Sequence, residues 1–408
     1  MMRSQQDMSE QASPSPSKSW YSVHPDVLKL GLVSLLTDLS SEMIFSVFAI
    51  FFTTVAGASA ALLGLVEGMA DFSASSLNIF SGWLSDRTGK RKVFALAGYG
   101  FSTVAKTLLL FSSSVLGLSA FRIIERLGKG FRGPPRDAWL SAIAGSEKRG
   151  YAFGVHKALD KTGAIFGPLI AYGLLAWLGD GASTYQILFW VAMVPAVLSI
   201  VALSLVKDQP APISQRESLF ETWKILSPQF KRFLVSAGIF SLAYFSFGFL
   251  LLRAYSVGFT IKNVVLLYAL FNITCVIAAP LIGKISDRVG RSRMIKLSYL
   301  TYLALSLGFA YVTTQWQIIA LFAVYGVFYA IDEAQNKAFI ADLELERRAS
   351  AIGMYNFITG ILYLPASLIA GGLWLVNPSV PFFVAASFAL LAIIAFQILR
   401  PGIDKGVM

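Results

Sequence analysis

The residues that carry most enzymatic and metal chemistry are scarce in this sequence. Its 408 residues include one cysteine, Cys275, set in an apolar run, and two histidines, His24 and His156. A single cysteine allows no intrachain disulfide and no thiolate cluster. Two distant histidines offer no metal cage, and no nucleophile–base pair suggests a membrane-embedded enzyme. The phosphate-binding loop Gly-x-x-x-x-Gly-Lys-Ser/Thr is missing as well. Gly128-Lys129-Gly130 has neither the loop nor the hydroxyl, which argues against an ATP-driven pump, and no cofactor or metal is implied. Charge is also sparse, at 14% Asp, Glu, Lys and Arg against 56% hydrophobic residues. Ordinary soluble domains keep apolar residues below about half, so lipid is the expected solvent for most of the chain.

The formal net charge is +11, which in a soluble protein would point to nucleic acid. Here the placement of the bases points to membrane topology instead, with no nucleic-acid partner. Lys and Arg gather in alternate connections, for example at Arg87, Lys90, Arg91 and Lys92, at Lys148 and Arg149, and at Arg288, Arg291 and Arg293. The intervening connections carry none, and only Arg253 and Lys262 break the alternation. The positive-inside rule then places both termini in the cytoplasm. The first 19 residues are polar and rich in Ser, Pro and Gln, with no apolar core ahead of a cleavage site, so they read as a disordered tail and not a signal peptide.

Apolar segments long enough to cross a hydrocarbon core of about 30 Å recur twelve times. They lie near 27–55, 60–84, 93–112, 115–142, 149–178 and 184–206, then near 231–253, 262–286, 294–312, 316–342, 348–375 and 380–399. The pattern predicts an all-α membrane protein of two six-helix bundles, 27–206 and 231–399. A cytoplasmic tail (1–26), a linker (207–230) and a second tail (400–408) complete the expected organisation.

The halves repeat. Gly82-Trp-Leu-Ser-Asp86-Arg87-Thr-Gly89-Lys90-Arg91-Lys92 returns as Gly283-Lys-Ile-Ser-Asp287-Arg288-Val-Gly290-Arg291-Ser-Arg293. Its glycine would let helix ends approach closely. A carboxylate beside a basic loop can bond a neighbouring helix end in one conformation and release it in the other. The fourth span reads Arg122-Ile-Ile-Glu125-Arg126-Leu-Gly128-Lys129-Gly130-Phe-Arg132-Gly-Pro134-Pro135-Arg136, and the fifth spaces Gly154, Gly163 and Gly167-Pro168. These motifs resemble those of the major facilitator superfamily, the first as its loop between helices 2 and 3, the last as the helix-5 pattern of its proton-coupled antiporter (efflux) branch. The chain departs from those patterns in three places: Arg126 stands where the fourth-helix pattern has Gly, and Ala171 and Tyr172 stand where the branch has two glycines. The resemblance implies that spans 1, 4, 7 and 10 line a central cavity, flanked by 2, 5, 8 and 11.

Charges within spans are costly facing lipid and therefore mark protein interior or a water-filled path. Residues 122, 125, 129, 132 and 136 step by three or four and share one helical face. Counting along the helices puts Asp38 near mid-depth with Glu42 one turn outward, and Asp71 near mid-depth with Glu67 one turn outward. The fifth span adds His156, Lys157, Asp160 and Lys161, and the tenth Asp332, Glu333 and Lys337. Lys106 in the third span either snorkels or packs inside the first bundle. We expect Asp38, Glu42, Asp71 and Asp160 as proton-coupling candidates, with Asp38 opposite Arg126 and Glu42 opposite Arg122. Substrate-contact candidates are Arg122, Arg126, Lys129, Arg132, Asp332 and Glu333. The second half adds aromatic candidates: Tyr244 and Phe245 in the seventh span, Tyr355 and Asn356 in the eleventh. Such aromatics either pack against lipid and protein or, facing the cavity, would meet an organic ligand with apolar and anionic parts.

The expected function is proton-coupled secondary transport, by alternating access, of a small organic solute across a bacterial-type cytoplasmic membrane. The direction would be export, by a monomer. Alternatives are an organic-anion uptake symporter or uniporter, and a non-transporting receptor or scaffold on the same fold.

Overall fold

The computed structural model describes residues 24–112, 114–208, 223–344 and 348–401, with the side chains of 145–148, 287 and 348–349 outside the description. Most of the expected amino-terminal tail, residues 209–222 of the linker and the last seven residues therefore lie outside the described residues. What is described is helical, with no strand. The helices are α1 (Pro25–Ile50, extended by a wider π turn over Phe51–Val55), α2 (Ala60–Thr88), α3 (Arg91–Phe111), α4 (Val115–Leu178) and α5 (Ala182–Ser204). They are followed by α6 (Pro228–Ala243), α7 (Gly248–Ser256), α8 (Ile261–Val289), α9 (Arg291–Tyr311), α10 (Gln315–Leu343), α11 (Arg348–Trp374) and α12 (Val380–Leu399).

Two of these elements need translation into membrane crossings. A straight helix as long as α4, 64 residues, would extend about 96 Å at 1.5 Å per residue, three hydrocarbon thicknesses. Arg136 and Asp160 both hydrogen-bond Ser34 of α1, at 3.5 and 2.5 Å. The chain therefore doubles back between them, and α4 supplies two antiparallel arms, the fourth and fifth spans. Conversely, α6 and α7 form one span broken at Tyr244–Phe247, where Ser246 and Ser367 take over the interrupted backbone bonding. Twelve crossings result, in two six-helix bundles. Nine of the described stretches are long and apolar enough to cross a bilayer on composition alone. The remaining three are α2, the first arm of α4 and α9, which are more polar than the other spans.

Close helix contact in the first bundle depends on glycine. A Cβ on Gly128 would lie 2.6 Å from the Gly98 carbonyl oxygen of α3, and one on Gly130 2.3 Å from that of Ala74 in α2. In the second arm, Gly163 and Gly167 rest on the α1 backbone at Leu35 and Leu39, at 2.3 and 2.8 Å by the same measure. Small residues at this period let backbones touch where lipid supplies no hydrophobic drive between helices. Their partner is α1 of the same bundle, so this stripe fastens that bundle together and does not seal a path between bundles. Gly154 faces open space.

The proline pair does not end the first arm, which stays helical through Pro134 and Pro135. Pro134 has no N–H to offer the Gly130 carbonyl four residues back. That carbonyl instead accepts a hydrogen bond from Ser81 Oγ of α2, at 3.1 Å. Arg253, which broke the charge alternation, is buried at the end of α7. Its guanidinium donates to the carbonyls of Phe309, Ala310 and Val312 at 2.9 to 3.2 Å. It thus caps the terminal carbonyls of α9, a favourable place for a cation.

Candidate functional site

A cavity of about 1890 Å³ lies between the bundles, lined from both. Its far end is closed by contacts around the start of α2 and the end of α11. There a Cβ on Gly64 would meet the Ser367 carbonyl at 2.2 Å, and one on Gly371 the Ala60 carbonyl at 2.7 Å. Two polar contacts between the bundles add to this seal: Ser246 Oγ donates to Glu67 at 3.0 Å, and Tyr268 OH donates to Glu42 at 2.5 Å. At the other end the lining reaches Gly82, Trp83, Arg149 and Gly353, next to the basic connections. The conformation is open toward the basic face and closed toward the other.

The charged wall belongs to the first bundle. Arg122 of α4 grips Glu67 of α2 through two bonds, Nε–Oε1 at 2.6 Å and Nη2–Oε2 at 2.9 Å, and reaches Glu125 at 3.4 Å. Its guanidinium also lies over the Phe45 ring, 4.6 Å from the centroid. Arg126 pairs with Asp71. Two sequence expectations are corrected here: Arg126 is engaged by α2 and not by Asp38, and Arg122 is held by Glu67 and not by Glu42. Counting along a helix yields depth but not azimuth, and on azimuth α2 is the nearer partner of this arm. Arg132 turns away toward α3, donating to Ser102 Oγ at 2.6 Å with its guanidinium 4.6 Å from the Tyr99 ring centre. Lys106 is buried inside the first bundle and donates to Ser41 Oγ at 3.1 Å.

Asp38 takes another partner. Its carboxyl lies near that of Asp160 on the second arm of α4, close enough for the two charges to interact, and Ser34 donates to Asp160 at 2.5 Å. Lys157 approaches Asp160 at 3.8 Å and Glu333 of α10 at 3.0 Å, so it links this pair to the second bundle. Glu333 also meets Lys337 at 3.6 Å. Lys129 is exposed within the cavity and has no ion pair or hydrogen bond among the described residues.

The opposite wall is aromatic and mostly tyrosine. Tyr244, Phe247, Tyr268, Phe271, Tyr325 and Tyr329 line it, with ring centres of neighbours such as Phe247 and Phe271 4.7 Å apart. Tyr355 and Asn356 border it nearer the open end, Tyr355 stacking on Phe233 at 5.9 Å. Phe245 is only 5% exposed and packs on Phe249 and Phe382, so most of its ring belongs to the bundle core. Asp332 accepts from Ser298 of α9 at 3.2 Å and from Asn336 at 2.9 Å, which turns its carboxylate toward that bundle's interior. Tyr325, Tyr329 and Tyr268 were not singled out from sequence; they sit in stretches of α8 and α10 that are apolar on every side and show no stripe that would flag them.

The repeated loop motif uses its last glycine for geometry. Gly89 has φ +68° and Gly290 φ +94°, ending α2 and α8 in conformations that disfavour side chains. Gly283 has open space around it, so close approach is not its role there. Asp86 is buried, while Arg87 is exposed with its guanidinium 5.2 Å from the Trp83 ring centre. Arg288 is exposed, and the Asp287 side chain lies outside the described set.

Similarity to other proteins bears on this arrangement. The sequence profile of the Major Facilitator Superfamily matches residues 30–330 and 233–406. An uncharacterized MFS-type transporter of Methanocaldococcus jannaschii is 35% identical over 374 residues, covering 90% of this chain and 93% of its own. The multidrug resistance protein MdtG of Serratia proteamaculans is 25% identical over 264 residues, covering 62% of this chain and 63% of its own. Among solved structures, the nucleoside transporter NupG superposes with a TM-score of 0.75 over 92% of this chain and 99% of its own, at 13% identity. A bacterial homologue of the human lysosomal transporter Spinster, inward-facing and unoccupied, gives 0.66 over 96% and 100% at 17% identity. With two helical bundles enclosing a charged cavity and a profile match along nearly its whole length, the chain is a multi-pass membrane transporter and belongs to the Major Facilitator Superfamily.

Proposed function

We propose that the chain is a proton-coupled secondary transporter of a small organic solute, working as a monomer. Its two bundles, 27–206 and 231–399, would rock about the central cavity while the tails and the linker stay cytoplasmic. The observation that carries the proton-coupling part is the juxtaposition of Asp38 and Asp160, with Lys157 3.8 Å from Asp160 and 3.0 Å from Glu333 of the other bundle. Two neighbouring carboxylates repel when both are ionised, so the pair favours holding one proton. Losing that proton leaves two like charges side by side, which favours separation of α1 from the second arm or recruitment of Lys157 from Glu333. Because Lys157 spans the bundles, proton occupancy and bundle position are linked. Asp71 near mid-depth and Glu42 one turn outward act in this reading as partners of Arg126 and Tyr268.

Export across a bacterial-type cytoplasmic membrane is the direction we favour, since the relative named for multidrug resistance shares 62% of the chain. One observation favours a second reading, uptake of an organic anion together with a proton. The cavity lining holds nine acidic and nine basic residues, so one bound proton leaves it formally +1 and ready for one negative charge. The test is transport in proteoliposomes under an imposed pH gradient, against labelled amphiphilic anions and cationic drugs. Asp38→Asn and Asp160→Asn should each abolish gradient-driven accumulation while exchange of substrate persists. Undiminished accumulation in both variants would remove the pair from the coupling mechanism.

A further inference from the structure

We propose that the cavity selects aromatic organic monoanions, with Lys129 reading the negative charge and the tyrosine wall of α8 and α10 holding the ring. The proposal rests on the transporter reading above and names the substrate class of the same cavity.

The charge of the ligand follows from which protein charges already have partners. Arg122 is held by Glu67, Arg126 by Asp71, Arg136 by Asp137, and Lys157 by Glu333. Arg132 is spent on Ser102 and Tyr99. Most carboxylates are likewise occupied: Glu42 by Tyr268, Asp332 by Ser298 and Asn336, and Asp160 by Ser34 and Lys157, with Asp38 beside it. Two other cations have no hydrogen-bonding partner among the described residues. Arg149 is at the open mouth, and Lys161 lies 5.4 Å from the centre of the Tyr329 ring. Lys129 alone is deep in the cavity, exposed, and bonded to neither carboxylate nor aromatic face among the described residues, although Asp38 is within electrostatic reach. A site whose carboxylates are mostly satisfied and whose exposed ammonium is not gives an anion more to gain than a cation.

The shape of the ligand follows from the other wall. Tyr268, Phe271, Tyr325 and Tyr329 present ring faces and edges, and ring–ring contacts add about 0.5–1.5 kcal/mol beyond the area they bury. The position of Lys161 over Tyr329 shows that this wall faces the charges of the second arm directly across the gap. Lys129 lines the same cavity as these tyrosines, so a planar ligand with its carboxylate at Lys129 would be offered their rings.

Binding to the purified full-length chain in nanodiscs, with no gradient, separates this proposal from the coupling reading. Four matched probes suffice: 2-naphthoate, its neutral amide, 2-naphthylmethylammonium and octanoate. We expect naphthoate to bind at least tenfold tighter than the other three. Lys129→Gln should remove the preference for naphthoate over the amide while leaving amide binding within twofold, and Lys129→Arg should keep it. Tyr329→Ala should weaken naphthoate and amide alike. Equal binding of naphthoate and amide to the unaltered protein, no binding of any probe, or a preference that survives Lys129→Gln would each overturn the proposal. A protein that shows the expected preference yet fails to accumulate naphthoate under a pH gradient would sink only the coupling reading.

Discussion

At the scale of single residues, the first bundle holds its buried charges in pairs, and the pairs differ in what they are worth. Arg122 and Glu67 are both nearly inaccessible and joined by two short bonds. Taking one partner away strands the other charge in a low-dielectric interior, a loss of about 3–5 kcal/mol. Glu67→Gln should therefore lower the thermal unfolding midpoint of the detergent-purified protein by several degrees. Lys337→Ala should hardly move it, because Lys337 is more than half exposed at 3.6 Å from Glu333, and exposed pairs are worth about 0–1 kcal/mol. Equal effects of the two substitutions would contradict the assignment of Arg122–Glu67 as a buried structural pair. Glu67 also accepts from Ser246 of the other bundle, so its loss should loosen the closed end as well.

At the scale of helices, the closed end depends on contact between α2 and α11 at Gly64, Gly68 and Gly371. A side chain at Gly64 would run into the Ser367 backbone, which cannot retreat while the two helices remain pressed together. Overpacking of this kind costs about 1–3 kcal/mol, enough to shift the balance between closed and open ends by tenfold. Gly64→Leu should raise thiol labelling of a cysteine at Ser246 from the sealed side several-fold, measured in a Cys275→Ser background. No change in labelling would show that the glycine contact is not the seal. The loop after α2 acts at the opposite end. There Asp86 is buried and Arg87 exposed, so transport in proteoliposomes should fall tenfold or more in Asp86→Asn and less in Arg87→Ala, with membrane insertion intact. Wild-type transport by Asp86→Asn would exclude a gating role for this carboxylate.

At the scale of the whole molecule, the cavity opens on the face that carries the basic loops, so orientation and conformational state are one question. The positive-inside rule would make this face cytoplasmic and the conformation inward-open, an orientation that thiol labelling tests. Gly179, which tops the connection between α4 and α5, has φ +81° and is a poor host for a cysteine. Its exposed neighbour Asp180 serves instead, with exposed Asp208 after α5 as the inner reporter; Ser218 in the linker is outside the described residues. Asp180→Cys should react with an impermeant thiol reagent in intact cells, and Asp208→Cys only after permeabilisation. The opposite pattern would turn the cavity to face outward and reverse the reading of both ends.

Fold class, twelve crossings and the burial of charge in a shared interior are legible in the residues alone. Those depend on one-dimensional properties: the length of apolar runs against the bilayer, the alternation of basic loops, and a motif repeated half a chain apart. Counting 1.5 Å per residue ranks Asp38 and Asp71 near mid-depth and Glu42 and Glu67 one turn outward, and all four line the cavity. Which charge meets which was decided only by the tertiary structure. Helix rotation, set by the glycine contacts at Gly128, Gly130, Gly163 and Gly167, directs Arg126 to Asp71 and leaves Asp38 beside Asp160. The same packing turned Arg132 into the bundle, left Lys129 without a bonded partner among the described residues, and brought tyrosines from apolar stretches of α8 and α10 to the cavity wall. A helical stretch that is apolar on every side has no period to reveal its inward face, so that wall became visible only when its neighbours were in place.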